Sequence, residues 1–430
     1  MEEQIKAIVL GAGKGTRMKS ALPKVLHEIY SKPLIGWVLD SIKNINFKSE
    51  SIVIIGHGCD LVKEYLNKNY PNSKTVLQAQ QLGTGHAVAQ ALPLLENFKG
   101  NVLITCGDTP LLNSETLNEF ISYHNENSSD LTVMTTDFDN PFGYGRIVRD
   151  NNNEIVEIVE QKDANDIQKQ IKEVNTGIYC LSWEKIKQSF NELDNNNSQG
   201  EYYLTDIIKW AKTKNYKVLG YKAQDNTEIY GINSRQNLAV AIKIMTEKYL
   251  EKLMENGVTI VDPASTHISP ETTIQEDTII YPNTYINGKN TIAKNCKIGP
   301  MTHIRGNCSI DEGCKIGNFV ELKNAKIAKK TNVCHLSYVG DANIGSNVNI
   351  GAGTIFANYN SITKEKKTST LEDGVSIGSN SVIVAPVEIK ENAFIAGLSC
   401  ITKNVEENSL AMTRSPQKEI KNWVTTKKGE

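Results

Sequence analysis

The second half of the chain repeats an aliphatic residue every six positions. Ten such residues follow one another in strict steps from Ile268 to Leu322. The step is disturbed near Ile327 and is strict again from Leu371 to Ile401. Neither an α-helix nor ordinary hairpins repeat in this way. A hexapeptide β-helix does, because each repeat supplies a short strand and a turn and points its aliphatic side chain into a prism.

One segment interrupts this repeat. From Ala357 to Thr370 the repeat is suspended, and a stretch with Tyr359 and lysines at 364, 366 and 367 intervenes. A solenoid tolerates such an insertion as a loop on one edge. A loop with an aromatic residue and three lysines could contact an anionic ligand or a neighbouring chain. The alternative is a solvent-exposed loop that binds nothing.

The first part of the chain has a different pattern. Apolar runs alternate with helix-like segments up to about Asn233, with buried strands expected at 51–55 and 101–104 and helices near 34–45, 60–69 and 85–95. This alternation predicts a Rossmann-like α/β domain whose mostly parallel sheet is covered on both faces. Ligands of such sheets bind beyond the carboxyl ends of the strands.

A single long helix is predicted between the two parts. Its apolar residues recur at spacings of three and four, and Gly257 is a suitable C-terminal stop. We therefore divide the chain into an α/β domain (1–233), a linker helix (234–256) and a β-helix domain (257–430).

Composition excludes several classes of protein. The 430 residues are too many for one compact core, and a net charge of −2 leaves no broad basic face for nucleic acid. The chain has no apolar run of membrane-spanning length and no leader segment, which predicts a cytoplasmic protein without membrane insertion. Its eight cysteines form no C-x-x-C pair, which argues against a disulfide framework or a zinc site.

The glycine-rich stretch at 10–24 follows an apolar run of strand length at 5–9. Among its residues are the glycines Gly11, Gly13 and Gly15 and the cations Lys14, Arg17 and Lys24. Glycines let backbone N–H groups approach an anion, but the spacing fits neither the Walker loop nor the dinucleotide fingerprint. Spacing alone leaves a phosphate-binding loop and an ordinary strand-to-helix turn as alternatives.

Other polar residues are ambiguous when each is taken singly. Gln78 to His86 offers amides and two glycines just before a helix. Asp108 follows an apolar strand, where an aspartate either serves a metal or catalysis or caps the next turn. His335 lies in the disturbed part of the repeat, where a lone histidine is more often structural than catalytic.

The order of the motifs resembles one family closely. GAGKGTRM followed by Pro23-Lys24 is similar to the signature of sugar-nucleotide pyrophosphorylases. With QLGTGHA, GD-x-P, GYGR, NTG, EYYLTD and GIN, and then GNFVELK, HLSY-x-GD and NIGAGT, nearly the whole chain resembles the bifunctional UDP-N-acetylglucosamine pyrophosphorylases / glucosamine-1-phosphate N-acetyltransferases. This resemblance implies a left-handed β-helix with about 18 residues per coil and a homotrimer.

The resemblance also implies two reactions. The second half would acetylate glucosamine 1-phosphate with acetyl-CoA. The first half would transfer UMP from UTP to N-acetylglucosamine 1-phosphate with Mg²⁺ and release pyrophosphate. By the same resemblance, the product would be a precursor of peptidoglycan and lipopolysaccharide.

The resemblance assigns residues of the first half to the uridylyl-transfer site. Arg17 and Lys24 would be its catalytic cations, and Asp108 and Asn233 its Mg²⁺ ligands. The remaining nucleotide- and sugar-binding residues would be Leu10, Gly11, Ala12, Gly13, Gln78, Gly83, Thr84, Gly145, Glu160 and Asn175. This chain has Cys106 where the family usually has tyrosine.

In the second half the resemblance makes His335 the general base, a task that suits an imidazole. The sugar phosphate would be bound by Arg305, Lys323, Tyr338, Asn349 and Lys364. The acetyl-CoA site would contain Ala352, Asn358, Tyr359, Ser379, Gly397 and Arg414. Gly397 replaces a family alanine, and the loop before Thr368 is one residue longer than usual.

Two other functions fit part of the pattern. A hexose-1-phosphate nucleotidylyltransferase with a regulatory β-helix would leave His335, Tyr338, Asn358 and Tyr359 without a role. A β-helix that is only a trimerisation scaffold would bind no acetyl-CoA, which a thermal-shift assay tests.

Overall fold

The computed structural model describes residues 4–428. The chain divides into two compact units, one ending at Ile244 and the other beginning at Met245. This division falls inside a helix, Arg235–Glu255. The assignment of 234–256 to a separate linker stays a prediction.

The first unit is an α/β domain. Its strands are β1 (Gln4–Leu10), β2 (Glu28–Ile29), β3 (Lys32–Pro33), β4 (Lys48–Ile55), β5 (Lys74–Leu77), β6 (Asn101–Cys106), β7 (Leu131–Asp137), β8 (Arg146–Arg149), β9 (Ile155–Val159), β10 (Glu173–Ser182) and β11 (Val218–Lys222). Its helices are α1 (Leu34–Lys43), α2 (Cys59–Asn69), α3 (Thr84–Ala89), α4 (Ser114–Glu126), α5 (Trp183–Ile186), α6 (Ser189–Glu192), α7 (Asp206–Thr213) and the start of α8 (Arg235–Glu255). Short 3-10 helices span Thr16–Met18, Lys24–Leu26, Leu92–Leu95 and Gln168–Gln170.

Nine of these strands form one sheet in the order β11-β7-β10-β6-β1-β4-β5, with β8 and β9 attached through β10. Strands β6, β1, β4 and β5 run parallel, and β10 is antiparallel to β6 and β7. Along β1, Ile8 packs in one hydrophobic cluster while Ala7 and Val9 pack in another. The predicted sheet with both faces covered is thereby confirmed.

Two predicted boundaries were wrong in detail. The helix expected over 85–95 ends at Ala89, and a 3-10 helix follows, because Pro93 has no N–H for a continuing α-helix. The strand expected from Ser51 begins at Lys48, since its polar start still pairs with β1 at Gln4.

The second unit consists of three parallel sheets. Sheet I contains β12 (Thr259–Ile260), β15 (Ile279–Ile280), β18 (Lys297–Ile298), β21 (Lys315–Asn318), β24 (Asn332–His335), β27 (Asn349–Ile350), β30 (Ser376–Ile377), β33 (Phe394–Ile395) and β35 (Leu410–Ala411). Sheet II contains β13 (His267–Ile268), β16 (Tyr285–Asn287), β19 (His303–Arg305), β22 (Glu321–Lys323), β25 (Tyr338–Gly340), β28 (Ile355–Ala357), β31 (Val382–Val384) and β34 (Cys400–Ile401). Sheet III contains β14 (Thr273–Ile274), β17 (Thr291–Ile292), β20 (Ser309–Ile310), β23 (Lys326–Ile327), β26 (Ala342–Ile344), β29 (Ser369–Leu371) and β32 (Glu388–Ile389). A last helix, α9, spans Trp423–Lys428.

The aliphatic residues of the six-residue repeat fill the interior of this parallel β-helix. Ile268, Ile304 and Ile383 are completely buried, and the repeat residues between them form one continuous hydrophobic cluster. The cysteines Cys308 and Cys314 belong to the same interior, as expected for equivalent wall positions.

The disturbance of the repeat has a simple structural cause. Ile304 pairs with Leu322 at a spacing of 18 residues, whereas Leu322 pairs with Val339 at a spacing of 17. One residue is missing from the corner between sheets II and III, where Asn324 and Asp341 adopt positive φ. The strand register is kept, so the prism core continues through the shortened coils.

The interruption after Ala357 is a hairpin on one edge. Tyr359 and Lys366 form an antiparallel bridge, and the Lys367 N–H donates to the Asn358 carbonyl at 2.9 Å. The coil resumes at β29, so the insertion leaves the stacking of Ile344 on Leu371 unchanged. In residues 4–428, every helix is too short or too polar to cross a membrane.

Candidate active sites

Lys24 is positioned by the glycine-rich stretch. Gly15 has φ +58, and a Cβ at this position would lie 2.7 Å from the Cβ of Lys24. Only glycine combines this backbone conformation with so close an approach. The stretch therefore holds the base of the Lys24 side chain in place.

The Lys24 ammonium group joins two oxygen-bearing side chains. It forms a salt bridge with the Asp108 carboxylate and donates to the Asn233 amide oxygen at 3.0 Å. The side chains of Lys24 and Asp108 are each 15% exposed. Sequence reasoning grouped these three residues by resemblance only, and the structure brings them into contact.

Backbone bonds fix the position of this group at the carboxyl ends of the central strands. The Gly107 N–H donates to the Leu10 carbonyl at 2.9 Å, and the Ile232 N–H donates to the Asp108 carbonyl at 2.9 Å. Leu10 and Cys106 are partners in the parallel register. The site lies where ligands of open α/β sheets bind.

The oxygens of Asp108 and Asn233 fit a hard divalent cation. Both converge on a single positive charge, the Lys24 ammonium, and carboxylate and amide oxygens are ligands that Mg²⁺ accepts. Mg²⁺ commonly takes one or two protein ligands and completes its shell with phosphate oxygens and water.

The other predicted nucleotide-binding residues surround the same edge. The Gly11 N–H donates to the Ile54 carbonyl at 2.9 Å, and the Ala12 carbonyl accepts from His57. Gln78 is buried and donates to the Gly83 carbonyl at 3.1 Å, at the start of α3, which Thr84 begins. Gly13 and Arg17 are both exposed, and a Cβ at Gly13 would meet no atom within 4 Å.

Gly145, Glu160 and Asn175 form a second group. The Asn175 N–H donates to the Gly145 carbonyl at 2.9 Å, and a Cβ at Gly145 would lie 3.3 Å from a Glu160 carboxylate oxygen. Burial raises the pKa of Glu160, and Asp163 and Asp206 add to the effect. This group presents a carboxyl and an amide, which suit hydroxyl groups of a sugar.

Cys106 links the two groups. A Cβ at Gly177, two residues beyond Asn175, would lie 3.3 Å from the Cys106 Sγ. Burial and the nearby Asp108 carboxylate raise the pKa of the thiol to about 12. The side chain is therefore a neutral thiol beside Asp108.

Asp206 offers a stability test beside Glu160. Burial and Asp194 raise its pKa to about 6 from 3.8. Because the folded state disfavours the carboxylate, the destabilisation is absent below about pH 4 and complete above about pH 6. Asp206→Asn should therefore raise the Tm at pH 7.5 by roughly 2–4 °C, a figure that already allows for the partial exposure of the side chain. Near pH 3.5 the substitution should leave the Tm unchanged.

Differential scanning fluorimetry across pH measures this effect. The matched control is Glu64→Gln, which changes an exposed acid on α2 and should leave the Tm unchanged. A lower Tm for Asp206→Asn at pH 7.5 would contradict the prediction.

His335 ends strand β24 with an exposed side chain. Its Nδ1 lies 3.2 Å from the Asn318 Oδ1, and the two residues are register partners in adjacent coils. Because the amide oxygen can only accept, this contact favours the tautomer with hydrogen on Nδ1. The Nε2 is then the nitrogen that can accept a proton.

His335 belongs to a row that runs along the β-helix. The carbonyls of successive row members accept from the next coil: Asn318 from Leu336 at 3.1 Å, His335 from Gly353 at 3.3 Å, Ala352 from Asn380 at 2.7 Å and Ser379 from Leu398 at 2.9 Å. Gly397 follows Ser379, since Ile377 pairs with Ile395. The row thus brings three predicted acetyl-CoA residues into line with His335 over roughly 14 Å, at about 4.8 Å per coil.

A group of cations lies at the end of sheet II. Arg305 and Lys323 are register partners in adjacent coils. Lys366 of the hairpin lies close to Lys323 and lowers its pKa, with desolvation and Arg305 adding to the effect. Lys364, the predicted residue, lies exposed at the turn with φ +57.

The neighbouring acids of this group are already engaged. Glu321 accepts from the Arg305 Nε at 2.6 Å, and Asp341 accepts from Asn324 at 3.0 Å and from Asn358 at 2.5 Å. Arg305, Lys323 and Lys366 outnumber these two carboxylates by one, and the excess positive charge suits a phosphate.

Tyr338 and Asn358 lie beside these cations. A Cβ at Gly340 would meet the Tyr338 hydroxyl and, at 2.8 Å, the Asn358 amide nitrogen, so both side chains pass over this glycine. Tyr359 is 54% exposed in the hairpin. Asn349 in sheet I and Arg414 beyond β35 are exposed, and no contact among the described residues joins them to this group.

Sequence reasoning missed Asn318, Asp341 and Lys366. Asn318 lies 17 residues before His335, so the shortened coil length was a usable signal for it. The positions of Asp341 and Lys366 are set by the shortened corner and by the hairpin. The six-residue repeat does not predict either geometry.

Comparisons with known proteins identify the family of the chain. The Nucleotidyl transferase family model matches residues 6–230, more than half of the chain, and the GMPPB C-terminal domain model matches residues 280–408. The chain is 41% identical to the Bifunctional protein GlmU of Acetivibrio thermocellus, covering 99% of this chain and 98% of the relative. The corresponding proteins of Halalkalibacterium halodurans and Clostridioides difficile are 42% and 41% identical, each covering 98% of both chains.

The fold and the matches together define a transferase with a nucleotidyltransferase domain followed by a parallel β-helix domain. The chain belongs to the GlmU family of bifunctional proteins. It is accordingly an enzyme with uridylyltransferase and acetyltransferase activities.

Proposed function

We propose that this enzyme makes UDP-N-acetylglucosamine in two steps. The β-helix unit acetylates glucosamine 1-phosphate with acetyl-CoA. The α/β unit then transfers UMP from UTP to N-acetylglucosamine 1-phosphate and releases pyrophosphate. The observation that carries the proposal is that one chain contains two sets of suitable residues. The first is the Lys24 contact with Asp108 and Asn233, and the second is the row with His335 together with the cations at the end of sheet II.

For uridylyl transfer, a phosphate oxygen of the sugar attacks the α-phosphorus of UTP, and the bond to pyrophosphate breaks. Two anions must meet, so positioning and charge neutralisation supply most of the catalysis. Lys24 binds the phosphates, while Gln78, Gly83 and Thr84 hold the base and Gly145, Glu160 and Asn175 hold the sugar. Mg²⁺ at Asp108 and Asn233 would neutralise phosphate charge.

For acetyl transfer, the sugar amine attacks the thioester carbonyl. The new C–N bond forms, the C–S bond breaks, and the sulfur of CoA leaves. His335 accepts the amine proton at Nε2, because Asn318 occupies Nδ1. The row of Ala352, Ser379 and Gly397 holds acetyl-CoA, with Asn358, Tyr359 and Arg414 as its further contacts.

The cation group binds the sugar phosphate, and the hairpin offers a matched pair of lysines to test this. Lys366→Ala should raise the KM for glucosamine 1-phosphate about tenfold, as loss of one charge-assisted contact predicts, with little change in the KM for acetyl-CoA. Lys364→Ala, which removes a lysine at the exposed turn, should change it less.

Steady-state acetyl-transfer kinetics measure both variants. A larger effect for Lys364 than for Lys366 would assign the phosphate contact to Lys364. If the KM for glucosamine 1-phosphate is unchanged in both Lys366→Ala and a Lys323→Ala reference, the cations at the end of sheet II do not bind the sugar phosphate.

We also propose a homotrimer in the cytoplasm. Closed three-fold symmetry satisfies identical faces of a β-helix, and sedimentation measures the mass. A monomer that still acetylates would contradict the trimer.

Substrate omission tests the two-step function directly. The protein is incubated with glucosamine 1-phosphate, acetyl-CoA, UTP and Mg²⁺, each omitted in turn.

Chelation of Mg²⁺ should stop uridylyl transfer and leave acetyl transfer largely intact. Equal loss of both activities in folded protein would contradict the assignment of the metal to the first unit.

A further inference from the structure

The side chain of Asn237 makes three hydrogen bonds at the start of helix α8. Its Oδ1 accepts from the Asn233 N–H at 3.2 Å and from the Ser234 Oγ at 3.0 Å. Its Nδ2 donates to the Tyr230 hydroxyl at 2.7 Å. The Asn237 N–H in turn donates to the Ser234 Oγ at 3.2 Å. One amide therefore ties together the turn that leads into the helix.

This turn carries residues of the uridylyl-transfer site. The Asn233 Oδ1 accepts from Lys24 at 3.0 Å, and the preceding residue, Ile232, donates its N–H to the Asp108 carbonyl at 2.9 Å. Asn237 thus fixes the backbone at Asn233, next to the two contacts of this turn: Ile232 with Asp108, and Asn233 with Lys24. It touches neither the Asp108 nor the Lys24 side chain itself.

Arg235 secures the same turn from the other side. Its Nε donates to the Met18 carbonyl at 3.4 Å, and its Nη1 lies 3.3 Å from the His27 Nδ1. Met18 and His27 flank the segment that contains Lys24. The first turn of α8 consequently contacts both the glycine-rich stretch and the Asn233 turn.

We infer that Asn237 is a positioning residue of the uridylyl-transfer site, which holds the Asn233 amide oxygen where Lys24 and a divalent cation meet it. The inference rests on the proposed function. Groups that orient a metal ligand typically contribute about 10–100-fold to metal affinity or activity. A purely capping role would stabilise the helix start and change neither quantity.

The test compares three variants of the full chain. Asn237→Ala removes all three side-chain bonds, and Asn237→Asp keeps the oxygen that accepts from Asn233 and Ser234. The control is Gln236→Ala, which changes an exposed neighbour in the same turn. Mn²⁺ binding is measured by electron paramagnetic resonance with UTP present and the sugar phosphate absent, so no turnover occurs.

We expect Asn237→Ala to weaken Mn²⁺ binding and to lower kcat for uridylyl transfer, each by about 10–100-fold, with a small change in the KM for UTP. Asn237→Asp should recover most of both losses, and Gln236→Ala should match the parent protein. Should Asn237→Ala fail to fold, Tyr230→Phe removes one partner hydroxyl and should give a smaller loss in the same direction.

Folded Asn237→Ala with parental Mn²⁺ affinity and kcat would overturn the inference and reduce Asn237 to a helix cap. An Asn233→Ala reference separates this result from failure of the proposed function. If Asn233→Ala binds Mn²⁺ normally, the metal role of Asn233 is wrong, and the positioning role of Asn237 is withdrawn with it.

Discussion

Replacement of His335 by alanine is expected to reduce acetyl transfer by about 10²–10⁴-fold, the usual contribution of a general base. The exposed imidazole has Asn318 at its Nδ1, so its Nε2 is free to take the amine proton. Uridylyl transfer from UTP to supplied N-acetylglucosamine 1-phosphate should stay near the parental rate. A coupled assay for free CoA and an assay for pyrophosphate measure the two reactions separately.

The β-helix offers a matched control for this variant. His267 is another exposed histidine, placed at the first sheet II strand, and His267→Ala should acetylate normally. Both variants must keep the parental sedimentation and Tm, because a defect in the β-helix would imitate loss of a base. A folded His335→Ala that acetylates at the parental rate would make the histidine structural.

An intermediate result is expected for Asn318→Ala. This change keeps the imidazole but removes the oxygen that favours the proton on Nδ1. The rate should fall less than in His335→Ala, because the required tautomer is still available in part. A rate equal to that of His335→Ala would show that Asn318 itself carries the essential role.

The architecture could be predicted from the sequence because each half shows a regular pattern of apolar residues. Every aliphatic residue of the six-residue period occupies the same environment, so Ile304 and Leu322 are buried for the same reason. In the first unit, alternation of apolar strands and amphipathic helices allows few arrangements other than a covered parallel sheet. Local exceptions such as Pro93 shift boundaries without changing the fold.

The residues of the two sites could be predicted only from the resemblance to a known family. Lys24, Asp108 and Asn233 lie far apart in the chain, and no local pattern shows that one ammonium group joins the two oxygens. Lys366 rather than Lys364 lies beside Lys323, because the hairpin register decides which lysine points back to the coils. Composition and period contain no information on that register.

Loss of Asp108 is expected to have the second large effect. Asp108→Ala removes the carboxylate that meets Lys24 at the carboxyl ends of β1 and β6. Because uridylyl transfer depends on neutralising two anions, we expect a loss of at least about 10²–10³-fold, the usual cost of removing one preorganised charge-stabilising group. Acetyl transfer should continue, so N-acetylglucosamine 1-phosphate should accumulate from glucosamine 1-phosphate.

The product mixture separates this prediction from general damage. Chromatography of a full reaction should show the acetylated sugar phosphate without UDP-N-acetylglucosamine, whereas an unfolded protein would make neither. Asp166→Ala, at a fully exposed aspartate of the same unit, should make both products at parental rates. Lys24→Ala should resemble Asp108→Ala, while Lys14→Ala, at an exposed lysine of the same loop, should cost far less. If folded Asp108→Ala still forms UDP-N-acetylglucosamine at the parental rate, Asp108 is a turn cap rather than a metal carboxylate, and Lys24 must act without it.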